Sequence, residues 1–133
     1  MSPIPSSEPL GERVSLERSL QGPHLSFHLG AETDRLRREK PWKEHGHNAI
    51  TLAKYDDLCL VLEVLRAGSR SAAREPHGRL SLEVLSGRIR LHVGGRAIEL
   101  AAGHLVVLDR DMAHEVEAPE DAAFLLTVGQ APR

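Results

Sequence analysis

Eight histidines, and a short stretch holding Arg74, Glu75 and His77, are the residues of this chain best equipped for specific chemistry. An imidazole can ligate a divalent metal, orient a ligand through either ring nitrogen, or move a proton near neutral pH. His45 and His47 form an HGH triplet, His77 follows Pro76, His92 falls within RIRLHV, and His104 and His114 bracket HLVVLDRDMAH. A metal with useful open positions needs about three protein ligands to fix it. Arg74 works against such a centre: its guanidinium has no lone pair to offer, repels a divalent cation and favours an anion. The single cysteine, Cys59, sits between Leu58 and Leu60, which argues for packing in a core and against a disulfide or a zinc cluster.

The composition narrows the partners. With 133 residues the chain can bury one core, and a net charge of -2 with 27% charged residues leaves no basic footprint for phosphates. Phe27, Trp42, Tyr55 and Phe124 are the whole aromatic content, so a stacking platform for bases is not expected and any cavity should be aliphatic. MSPIPSSEPL lacks a basic start and an apolar core segment, and no run approaches the eighteen apolar residues of a membrane span. A cytoplasmic protein without nucleic-acid or membrane partners is expected.

These side chains must be positioned by short elements. Residues 1–9 read as a mobile tail and residues 10–44 as an N-terminal helical arm. Within the arm, LGERVSLERSL forms a loose stripe ended by Gly22 and Pro23. Leu25, Phe27 and Leu29 alternate like a short strand, and a helix with Leu29, Thr33 and Leu36 on one side should follow until Pro41 stops it. Trp42 is expected to anchor that helix. After Asn48 the texture turns to strands: AITLAKY, LCLVLEVL, RLSLEVL, RIRLHV, RAIEL, HLVVL, HEVEA and AAFLLTV. Gly94 and Gly95 fit a two-residue hairpin turn, since both can take positive φ. Alternation places His92 opposite Ile89, Leu91 and Val93, and Glu83 opposite Leu80, Leu82 and Val84, so both should face outward.

Residues 45 to 129 resemble a cupin, carried by VLSGRIRLHVGG, GHLVVLDRDMAH and EAPEDAAFLLTV. The resemblance implies an all-β fold, a double-stranded β-helix (an RmlC-like jelly-roll barrel), here residues 45–133 behind the helical arm. It also implies a metal site, with ligands from a His-x-His pair and a glutamate between two glycines, and a further histidine in a second motif. Gly68 and Gly87 fit the frame of the first motif. Its histidine slots, however, hold Arg74 and Pro76, and its glutamate slot holds Leu80. In the second motif Gly103 and His114 match, while the Pro, Gly and Asn slots hold Asp109, Asp111 and Ala118. Of the family's metal ligands only His114 remains.

Three readings follow. In the first, the barrel is metal-free or only weakly metal-binding, needs no cofactor, and binds a small molecule, with an anion among the candidates, through Arg74, His77 and His114; enzymatic activity is not required. In the second, a metal-dependent oxygenase or isomerase holds iron, manganese, nickel or zinc with His77 and His114, helped by His45, His47, His92 or His104. In the third, His114 acts as the base of a metal-independent epimerase. For His45 and His47 the plain alternative is an exposed loop, for His104 a turn, and for His24 and His28 solvent. The resemblance further implies a homodimer, with the arm covering a sheet edge or folding over its own barrel.

Overall fold

The computed structural model describes residues 19–71 and 76–129. The expected tail, most of the LGERVSLERSL stripe, and Arg74 and Glu75 lie outside the described residues.

Two short helices, α1 (Leu29–Arg38) and α2 (Lys40–His45), precede eight strands: β1 (His47–Lys54), β2 (Leu58–Leu65), β3 (Arg79–Ser86), β4 (Arg88–Val93), β5 (Arg96–Ala101), β6 (Leu105–Leu108), β7 (His114–Glu117) and β8 (Ala122–Gly129). All strand pairs are antiparallel. One sheet has the order β1-β2-β8-β3-β6 and the other β5-β4-β7, with Arg70 bridging to Glu117 beside β7. This is the jelly-roll barrel that the alternating runs call for. Every run named after Asn48 became a strand, because a period of two gives each one an apolar face that packing can bury. Gly94 and Gly95 join β4 to β5 with φ of 59° and 74°, pairing Val93 with Arg96.

The apolar residues divide by face. Val61, Leu65, Leu80, Leu82, Val84, Ile89, Leu91, Val116, Phe124 and Leu126 fill the barrel. Ile50, Leu52, Leu62, Val64 and Ala123 look outward from the larger sheet and are covered by Leu36, Phe27, Leu29 and Trp42 of the arm. The arm therefore folds over its own barrel. Asn48, fully buried at the start of β1, clips it there: Nδ2 donates to the carbonyl of Leu36 (3.0 Å) and to Glu39 (2.9 Å), while Oδ1 accepts from the backbone of Ala49 (2.9 Å).

The arm departs from expectation in two places. Residues 23–28 form no strand. Pro41 does not stop α1. That helix already ends at Glu39, and Pro41 sits in the first turn of α2, where a missing N–H costs nothing. His28 is exposed, as expected, and from there its Nδ1 accepts from the backbone N–H of Ala31 (3.0 Å) and caps α1.

Among the described residues, no helix is long and apolar enough to cross a membrane.

Candidate functional site

The barrel has two distinguishable ends. At one, the β6–β7 loop meets the start of β3: Asp111 N–H donates to the carbonyl of Pro76 (3.2 Å) and Arg79 Nε to Asp109 (3.0 Å). The register brings the inward-facing Cys59, Leu80, Leu108 and Val128 to this end, opposite Val93 and His114 of the other sheet. Cys59, Met112 and Val128 pack against the core while remaining partly open, so Cys59 is a packing residue as expected. At the opposite end, Gly87 lies against Asp121, and Asp121 accepts from the backbone of Ala67 (2.8 Å).

His114 opens β7 with its side chain turned inward and is 5% exposed. Its Nδ1 lies 3.5 Å from the carbonyl of Met112. His77, by contrast, is exposed at the rim, with Nδ1 3.4 Å from Asp111. The fold thus brings the two histidines to the same end, one inside and one outside. Asp111 has a φ of 59° at the position where the family motif has glycine. A short acidic side chain tolerates that left-handed backbone, so the turn survives without its glycine.

The other candidate residues lie elsewhere. His92 faces out, its Nε2 2.9 Å from Glu117, within a ladder on the outer face of the smaller sheet that also joins Arg90 to Glu99 and Glu117, and Arg70 to Glu115 (2.5 Å). The hydrogen bond from His92 and the nearby guanidinium groups hold Glu117 below the usual carboxylate range. Glu115 raises Arg70, and Glu99 raises Arg90. Beside this face an open depression of about 620 Å³ runs along the strand ends, lined by His92, Arg96, His114 and Glu115. Glu83 is exposed, as its parity required. His104 occupies the β5–β6 turn, bonded through Nδ1 to the backbone of Ala101 (3.0 Å), and His45 is exposed at the end of α2.

His47 departs from the expected loop. It is the first residue of β1, and its Nε2 lies 3.0 Å from Oε1 of Glu63, a carboxylate only 1% exposed. Strand alternation turns Glu63 to the same side as Val61 and Leu65, into the barrel, toward the end away from His114. Sequence reasoning missed Glu63. Its signal was a charged residue at an inward position of LCLVLEVL.

The described residues in the family's ligand slots do not fit a cupin metal. The glutamate slot is Leu80, buried at 2% and facing inward; Pro76 offers no side-chain donor; Ala118 is fully buried hydrocarbon. Among the described residues no three His, Cys, Asp or Glu side chains gather closely enough to hold an ion. An imidazole can donate or accept a hydrogen bond or move a proton, and those are capacities His114 has here.

The comparisons agree with this architecture. The family model for the cupin domain matches residues 62–129, and the chain belongs to that family. A conserved Streptococcus pyogenes protein of unknown function superposes with a TM-score of 0.63 at 17% identity, over 100% of this chain and 98% of that one. An RmlC-like cupin from Shewanella frigidimarina gives 0.60 at 18% identity, over 67% and 80%. A variant of the salicylate 1,2-dioxygenase from Pseudoaminobacter salicylatoxidans gives 0.72 at 18% identity, over 94% of this chain but 39% of the dioxygenase. At such identities the likeness concerns the fold. No curated protein matches the chain.

Proposed function

We propose that this cupin works without a metal and binds a small organic anion at the His114 end of its barrel. The observation that carries the reading is hydrocarbon in the family's donor slots: Leu80 in the glutamate slot, buried at the same end as His114, and Ala118 in the asparagine slot, buried beyond the other end of β7, with His114 a buried polar residue among the described ones. Aliphatic walls favour an apolar body, and a buried imidazole favours a ligand with one well-placed polar group. Arg74 and His77, the former by its permanent charge, supply the preference for an anion. The alternative, a metal-dependent enzyme on His77 and His114, needs a further ligand that does not gather among the described residues.

Metal content by mass spectrometry tests the reading, before and after incubation with excess iron, manganese, nickel and zinc, beside an Arg74→His, Pro76→His, Leu80→Glu variant. Uptake by the variant alone supports a lost metal site. A stoichiometric metal on the unaltered chain, released by His77→Ala or His114→Ala, overturns the proposal. In parallel, a panel of small carboxylates and phosphates should raise the thermal midpoint of the unaltered chain but not that of His114→Ala.

A further inference from the structure

The inward rows of a barrel are apolar by default, and a permanently charged side chain in one of them calls for a reason. β5 carries such a residue. Arg96 pairs with Val93 of β4, and Val93 pairs on its other side with His114 of β7. Residues paired across strands share a face, so Arg96, Val93 and His114 form one row on the inward face of the smaller sheet, at the His114 end of the barrel. The rest of β5 agrees with this parity: Ile98 and Leu100 pair with the core residues Leu91 and Ile89. Arg96 and His114 are two strand spacings apart, about 10 Å between Cα atoms, with Val93 between them.

The depression of about 620 Å³ opens on this row, since Arg96, Val93 and His114 all line it. Its size falls in the range of roughly 300–1,000 Å³ typical of small-molecule sites. The charged groups around it are not equally engaged. His92 lies 2.9 Å from Glu117, and Arg70 holds Glu115 at 2.5 Å, both within the outer ladder. Arg96 is exposed and stands outside that ladder, forming no ion pair among the described residues.

We propose that Arg96 anchors the carboxylate of a small hydroxy monocarboxylic acid whose carbon body lies on Val93 and whose hydroxyl meets His114. This deepens the small-anion reading above, on which it rests, by assigning an anchoring charge to the β4–β5 hairpin. A guanidinium presents its N–H groups as a fork that matches the two oxygens of a carboxylate. His114 can donate to or accept from a hydroxyl, and its burial makes that hydrogen bond discriminating. One fixed cation beside the carboxylate of Glu115 suits a ligand of charge -1 better than a doubly charged phosphate.

Isothermal titration calorimetry on the full chain tests the assignment with lactate and mandelate, each beside its neutral primary amide, and with inorganic phosphate. A hydroxy acid should bind more tightly than its amide. Arg96→Gln should weaken the acid about ten- to a hundredfold and bring acid and amide to similar affinity, while Arg96→Lys should keep part of the preference. Arg96 is exposed, so the fold should persist, which circular dichroism checks. In NMR spectra of the unaltered chain, the bound acid should shift the Arg96 Nε–H and His114 ring signals together. A hydroxy acid that binds Arg96→Gln as tightly as the unaltered chain, or that shifts His114 without Arg96, overturns this inference and leaves the small-anion reading standing. Phosphate binding more tightly than either acid overturns the monocarboxylate assignment. Failure of both acids and of phosphate to bind overturns the inference and the reading beneath it.

Discussion

Nε2 of His47 lies 3.0 Å from a carboxylate oxygen of Glu63, and that carboxylate is 1% exposed on the inward face of β2. The partner keeps contact with water, its side chain being 23% exposed. Removing His47 strips a hydrogen bond from a buried acid, so His47→Ala should cost about 1–3 kcal/mol. Adding Glu63→Leu should recover part of that loss, because hydrocarbon is better tolerated in the barrel than an acid short of a partner. Urea unfolding of the two single variants and the double variant measures the coupling.

Two glycines with similar backbones should respond differently to alanine. Gly87 has a φ of 74°, and a Cβ there would stand 2.0 Å from the backbone oxygen of Asp121; Gly103 has a φ of 91° and open space around it. Gly103→Ala should cost about 1–2 kcal/mol of backbone strain. Gly87→Ala must also displace the β7–β8 turn and should cost clearly more. Denaturation midpoints of the two variants, measured side by side, check the order.

Acid should weaken the outer ladder in a defined direction. Hydrogen bonding from His92, then the charges of Arg70 and Arg90, lower Glu117 in the folded state. A depressed carboxylate stabilises the fold above its unfolded pKa of about 4.3, and that contribution is lost as pH falls through the lower folded value. The unaltered chain should therefore lose more stability than Glu117→Gln on going from about pH 5 to pH 3, and high salt should narrow the gap. Urea titrations at each pH, with and without salt, read it directly.

Leu36 holds the arm to the larger sheet from a fully buried position. Leu36→Ala should cost about 2–5 kcal/mol. The basic side chains of α1 and α2 are already largely exposed, so loosening the helices should free their backbone for the protease, and trypsin should cut between Arg35 and Lys43 earlier than in the unaltered chain.

Much of this fold was legible in the sequence because a strand's alternation is a local property. The inward set Leu80, Leu82, Val84, Ile89, Leu91 and Val93, the outward Glu83 and His92, and the Gly94–Gly95 turn all follow from side chains spaced by two and from residues able to hold positive φ. The gaps in the family motif were equally plain, since Pro76 and Leu80 cannot ligate a metal wherever the chain puts them. Tertiary structure alone decided which side chains meet across strands distant in sequence. It set His47 on Glu63, turned His77 out to Asp111 while enclosing His114, and laid Leu36 and Trp42 on the back of a sheet formed by residues that follow them. It also left residues 23–28 without a strand, because alternation shows what a strand would bury but not whether a neighbour will pair with it.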